Sequence, residues 1–167
     1  GTLADMACHH MDLPYWALKL KYPTTVEAEG PEKDSETTPE WLIVKYEFAA
    51  REDMPAVNLT WYNGGKRPKY FTDGTLPAWG DGTLFVGEKG MLLADYGRKV
   101  LLPEDKFKDF TPPAQSIPKS IGHHEEWIQA IKTGSRETTC KFDYSGPLAE
   151  AVSLGNVAYR VGQKIDW

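Results

Sequence analysis

The sequence predicts an α+β domain, a largely antiparallel, open sheet of about six strands with helices packed on one face. Apolar residues alternate with period two along several short segments in the middle of the chain. Gly-containing loops of a few residues join those segments, which makes the pairings hairpins and hence antiparallel. Helical patterns gather at the two ends of the sequence, as in a sheet with its helices on one side.

Taken in order, a first helix is expected from about Leu3 toward Lys19, with Pro14 kinking or dividing it because it lacks an N–H. Thr24 to Glu29 alternates like a strand, and Gly30 to Glu40, rich in charge, Ser, Thr and Pro, is an exposed loop. Trp41 to Phe48 is a strong strand with Leu42, Val44, Tyr46 and Phe48 on one face. Val57 to Tyr62 follows, with Val57, Leu59 and Trp61 on one side, and ends at the turn Asn63-Gly64-Gly65. A meander then runs through Thr83–Gly87, Gly90–Asp95 and Lys99–Pro103. After a Pro-rich passage, a helix is expected from about His123 to Lys132, closed by Gly134. The last helix should run from about Pro147, a permitted first-turn residue, to Val161. Its apolar face would be Leu148, Ala151, Val152, Gly155, Ala158 and Tyr159. The sheet's second face mixes Trp41, Ile43 and Tyr62 with Lys45, Glu47, Asn58 and Thr60, so it is either solvated or buried between copies of the chain.

Composition narrows the function classes. With 167 residues the chain fits one domain with a sizeable core. A net charge of −5 argues against a nucleic-acid partner, which would require a basic patch. No run of 18 apolar residues predicts a membrane span. The first residue is Gly rather than Met, so a processed product, a cloned domain or a proteolytic fragment is expected. Two cysteines, Cys8 and Cys140, are too few for a disulfide framework or a four-Cys zinc site, and free thiols are expected. No G-x-G-x-x-G follows a strand, and neither a Walker loop nor a G-x-S-x-G elbow is present.

Asp5, His9 and Asp12 lie on one stripe of the opening helix, because positions i, i+4 and i+7 fall within roughly 60° of each other. An imidazole between two carboxylates is either a satisfied structural group or a proton-transfer group, with one carboxylate raising the ring's basicity and the other orienting it or a substrate hydroxyl. His9-His10 and His123-His124 raise the question of metal. Adjacent imidazoles on a helix point about 100° apart, so each pair supplies one ligand at most. His123 and His124 precede Glu125 and Glu126 at a helix start, where they either pack or reach a polar substrate. Trp61, Tyr62, Trp79 and Trp127 are core residues or faces on which a sugar ring could stack.

Several ordered segments resemble the C-terminal domain of the Gfo/Idh/MocA oxidoreductases. Asp5-Met6-Ala7-Cys8-His9-His10-Met11-Asp12 resembles the family's D-x-x-x-H-x-x-D helix. Leu59-Thr60-Trp61-Tyr62-Asn63-Gly64-Gly65 resembles the strand and turn of one large subgroup, with Asn63 in place of the usual Asp. Leu84 to Gly90 resembles its hairpin, and His123 to Trp127 and Phe142 to Ala158 resemble its closing helices.

The resemblance implies a two-domain enzyme whose N-terminal Rossmann half, absent from this sequence, binds NAD or NADP and supplies a catalytic Lys. It implies that His9 is the general acid/base and Asp5 its orienting, substrate-contacting carboxylate. Asp12 would support them, and His10 and His123 or His124 would contact substrate; Asp12 itself and the aromatic face of Tyr62 are the further expected substrate contacts. The substrate would be a carbohydrate or cyclitol hydroxyl, and the open sheet face would join copies in a homo-oligomer. This domain would bind neither cofactor nor metal itself and would be inactive alone. An NAD-dependent glycosidase, a non-catalytic carbohydrate-binding or scaffold module, and a metal-dependent hydrolase are the alternative readings.

Overall fold

The computed structural model describes residues 1–167. In chain order the elements are α1 (Thr2–Ala17), β1 (Thr25–Glu29), β2 (Leu42–Phe48), β3 (Val57–Asn63), β4 (Thr83–Gly87), β5 (Gly90–Ala94) and β6 (Lys99–Leu102). There follow α2 (Glu104–Phe107), α3 (His123–Thr133), α4 (Phe142–Val161) and β7 (Ile165–Asp166). A single turn of 3₁₀ helix, Lys69–Phe71, lies between β3 and β4.

The α+β class and the antiparallel pairing stand, but the single six-stranded sheet does not. The strands divide into a four-stranded sheet ordered β3-β2-β1-β7 and a three-stranded meander ordered β4-β5-β6. The short edge strand β7 carries no pattern long enough to register in the sequence, yet it pairs with β1 at Thr25 and Val26. Between β3 and β4 the chain crosses a Gly- and Pro-rich segment, and no ladder bridges the two sheets.

In β2, Leu42, Val44, Tyr46 and Phe48 are buried, while Ile43, Lys45 and Glu47 face away. The strand therefore has the strict alternation of a half-buried sheet. Helices α1 and α4 pack against each other, and α4 lies along β1. Together with the inner face of the sheet they enclose one core of 17 buried residues. The outer face pairs Ile43 with Tyr62, Lys45 with Thr60 and Glu47 with Asn58, a mostly polar surface. Helix α3 is the exception to helices on one face. It packs substantially on no other element and leaves Trp127 and Ile131 each 65% exposed.

Two prolines behave differently from expectation. Pro14 does not divide α1, which runs as one helix from Thr2 to Ala17. The N–H it lacks would have bonded the His10 carbonyl one turn earlier, and the Thr83 hydroxyl donates to that carbonyl instead, at 2.9 Å. Pro147 is not the first residue of α4 but its sixth, because the N–H groups of Tyr144 and Ser145 both bond the Lys141 carbonyl and start the helix a turn earlier. Gly64 (φ 67°) makes the turn after β3, where its α-carbon lies against the Glu40 carbonyl and leaves no room for a side chain. No helix is long and apolar enough to cross a membrane.

Candidate functional site

Helix α1 has two opposed faces. Leu3, Ala7, Met11 and Tyr15 recur at spacings of four and are buried. The opposite side carries Asp5, His9, Asp12 and Trp16, all exposed. A 3.6-residue repeat that drives one stripe into the core forces these residues outward together. His9 therefore stands open to solvent rather than among aliphatic groups.

Its two acidic neighbours are engaged differently. Asp5 faces Cys8 closely enough that burial first, and then the Asp5 charge, push the Cys8 thiol up from its ordinary range. That thiol is free and half-buried. Asp12 is pinned from a distant part of the chain. The Tyr144 hydroxyl, on the first turn of α4, donates to Asp12 Oδ1 at 2.5 Å and lies 3.2 Å from the Asp12 carbonyl. Burial and the hydrogen bond to Asp12 raise the Tyr144 phenol well above its usual range, so it remains a protonated donor. Neither carboxylate hydrogen-bonds His9, so the expected bracing by direct hydrogen bonds is not made.

The remaining expected site residues are not gathered here. His10, one position on, turns toward the three-stranded sheet. Its ring lies 6.3 Å from Trp61 and 5.7 Å from Tyr96, with Nε2 3.5 Å from Asp81 Oδ2. It joins α1 to the loop before β4. Tyr62 projects from the outer face of the four-stranded sheet, on the side opposite α1, since its neighbour Trp61 points into the core. His123 and His124 open α3 with ring centroids 4.0 Å apart, exposed, and no hydrogen bond or ion pair links them to α1. The four imidazoles do not converge, and no three His, Cys, Asp or Glu side chains come together as metal ligands.

Two residues that sequence reasoning did not single out hold the expected ones in place, Tyr144 on Asp12 and Asp81 beside His10. Asn63, in place of an Asp, accepts the Trp61 indole N–H at 2.8 Å and is buried, so a neutral side chain suits that position. Two hollows in the surface have other linings. One is a pit of about 10 Å³ beneath Thr38 and Asn63, and the other an open groove of about 480 Å³ between Tyr22 and the start of α4.

No protein-family model matches the sequence, and no curated protein matches it. Solved structures do. The whole chain superposes on 55% of the "putative dehydrogenase from Bordetella bronchiseptica RB50", with a TM-score of 0.54 and 12% identity. It also covers 53% of the "putative oxidoreductase from Bacteroides fragilis NCTC 9343" (TM-score 0.46, 11% identity) and 52% of the "putative oxidoreductase YvaA from Bacillus subtilis" (TM-score 0.48, 12% identity). The last two superpose too loosely to add to the first. The chain spans about half the length of each, and it has the fold of that half of the Bordetella protein.

Proposed function

We propose that this chain is the substrate-side domain of an NAD- or NADP-dependent oxidoreductase acting on a carbohydrate or cyclitol hydroxyl. The observation that carries the reading is the exposed His9 with Asp5 and Asp12 on one face of α1, in a domain shaped like half of a protein described as a dehydrogenase. Its own residues do not suit a dinucleotide. Both sheets are wholly antiparallel, so no crevice exists at the end of parallel strands, and no Gly-rich turn leads from a strand into a helix. The nicotinamide, which supplies the hydride acceptor, belongs to residues outside this sequence.

What this chain contributes is the proton acceptor. His9 accepts the proton from the substrate hydroxyl as the carbon is oxidised. Asp5, which has no other hydrogen-bonding partner for its side chain, is free to hold a second hydroxyl. Tyr62 and the α3 histidines do not share this face within the chain, so any role they have in binding depends on other surfaces being brought to them.

His9→Ala in the protein joined to its nucleotide-binding half should lower turnover by about 10²-fold or more while leaving cofactor affinity unchanged. Steady-state kinetics on a sugar and cyclitol panel, with calorimetry for the cofactor, checks this. Turnover within a few-fold of the parent would remove His9 from the chemistry.

A further inference from the structure

We propose that the groove between Tyr22 and the start of α4 is a binding site for a neutral sugar ring. It stands beside the candidate site, since Tyr144, next to Asp143 of the groove, is the residue that holds Asp12. It does not depend on the reading of His9. The groove has a volume of about 480 Å³, within the ordinary range of small-molecule sites. Lys21 and Tyr22 form one side, and Phe142, Asp143 and Glu150 of α4 form the other. Phe142 is 91% exposed and Tyr22 also stands open, so two aromatic faces flank the groove. The Trp167 indole N–H donates to Glu150 Oε1 at 2.9 Å, which sets a third exposed aromatic at the rim.

The wall made by α4 is built to receive hydroxyl groups. Asp143, Gly146, Pro147 and Glu150 recur at helical spacing and share one stripe. Pro147 has no N–H to return to the Asp143 carbonyl one turn earlier, and no side chain donates to that carbonyl. At Pro14 the carbonyl freed in the same way is taken by the Thr83 hydroxyl. Here both Asp143 and Pro147 line the groove, so the free acceptor is offered to whatever the groove holds. Gly146 weakens a helix interior, yet a Cβ there would meet nothing within 4 Å. The proline after it does not require glycine, because Leu13 holds the same place before Pro14 in α1. What the missing side chain does is leave the groove open. Lys21 and Asp143 make no ion pair with each other or with any other residue. A hydroxyl both donates and accepts, so a polyol can use the Asp143 oxygens and the Lys21 ammonium together. A cation would be opposed by Lys21, and an anion by the two carboxylates. The apolar C–H face of a sugar ring then stacks on Phe142 or Tyr22.

The test is an NMR titration of the 167-residue chain with methyl glucoside, methyl galactoside, methyl mannoside and myo-inositol, read from amide shifts. At least one of them should move the Tyr22, Phe142, Asp143 and Gly146 resonances saturably, with a Kd on the order of millimolar. Phe142→Ala, a change at an exposed ring, should weaken that binding by about fivefold, the worth of one aromatic contact. Gly146→Leu should abolish it, because the new side chain enters the groove from a helix position that no neighbour crowds. The remaining amide resonances report whether each variant keeps the fold. No saturable shift from any of the four compounds, or binding unchanged in Phe142→Ala, would overturn the proposal. So would arginine or inorganic phosphate moving the same amides at lower concentration than every sugar, which would make the groove a cation or an anion site. Loss of His9 from the chemistry would show in the turnover experiment instead and would leave this binding intact.

Discussion

The two sheets of this molecule are held by very different interiors. The four-stranded sheet, with α1 and α4, encloses 17 buried residues in one cluster, whereas the meander closes over only three, Leu76, Leu93 and Leu102, with half-buried neighbours around them. A strand buried on one face by two long helices excludes water along its whole length. A three-stranded meander covered by a loop does so only at its centre. The candidate site stands on the first of these. His9, Asp5 and Asp12 ride on the outer side of the helix whose inner side is the deepest part of the core, so their spacing is fixed by packing. The second region meets α1 at His10, by way of Thr83, Asp81 and Tyr96. The candidate site and the deeper core coincide in one half, and the other half is attached to it.

The strongest way to break that contrast is to overfill the deep core. At Gly155 on α4, an added Cβ would sit 2.5 Å from the Tyr46 hydroxyl and 2.9 Å from a Leu3 methyl. Gly155→Ala should cost about 1–3 kcal/mol of global stability, read from urea unfolding. The Tyr46 hydroxyl is buried and has no hydrogen-bond partner, so removing it deletes an unsatisfied group and makes room. Tyr46→Phe should therefore be near neutral alone and should recover part of the loss in the double variant. A Gly155→Ala protein as stable as the parent would show that this core has room for the added methyl and is not closely packed at that point.

The same contrast explains what the sequence could and could not show. Alternation in β2 and the stripe of Asp5, His9 and Asp12 on α1 are local patterns, each read within one element, and both were legible. The buried complement of that stripe, Leu3, Ala7, Met11 and Tyr15, appeared only in the structure. The break between the sheets was not legible, because residues 64–82 carry turn signals but no register that would show whether β4 pairs with β3. The unbroken α1 escaped for a related reason. Pro14 predicts a division from its own chemistry, and only a hydroxyl 73 positions from His10 supplies the missing partner. Tyr144 was visible only as part of a family-like segment, since its meeting with Asp12 depends on how α4 crosses α1.

A moderate effect is expected where the halves meet. Thr83→Val keeps the shape and β propensity of β4 but leaves the His10 carbonyl without a donor, as Pro14 cannot provide one. The cost should be about 1–2 kcal/mol. It should appear as faster amide exchange in β4–β6 and in the turn of α1 before Pro14, with β1–β3 unchanged. Equal loss of protection in both sheets would mean that the two regions unfold as one unit and that the joint is not a weak point.

The smallest effect belongs to the turn between β5 and β6, and it separates the halves by pH. Asp95 accepts the backbone N–H groups of Gly97 at 2.9 Å and Arg98 at 2.7 Å, and the Arg98 guanidinium closes on its other oxygen at 2.7 Å. The Gly97 bond above all, then the Arg98 contacts, hold its carboxyl below the ordinary aspartate range. A folded-state value lower than the unfolded one means that the group stabilises the turn at pH above about 4, the unfolded value, and that the contribution is lost as pH falls through its own lower value. In the four-stranded sheet, Glu47 is held below its usual range chiefly by Thr25 and then by Lys164, but it sits on β2, which is paired on both sides, with Thr25 of β1 and Asn58 of β3. Acid should therefore loosen the β5–β6 turn while β1–β3 keep their amide protection. Asp95→Asn should reproduce that loosening near neutral pH and remove its dependence on acid. Gly97 and Arg98 amide resonances that fail to titrate below pH 4 in the parent would place the weakness of the meander in its thin core alone.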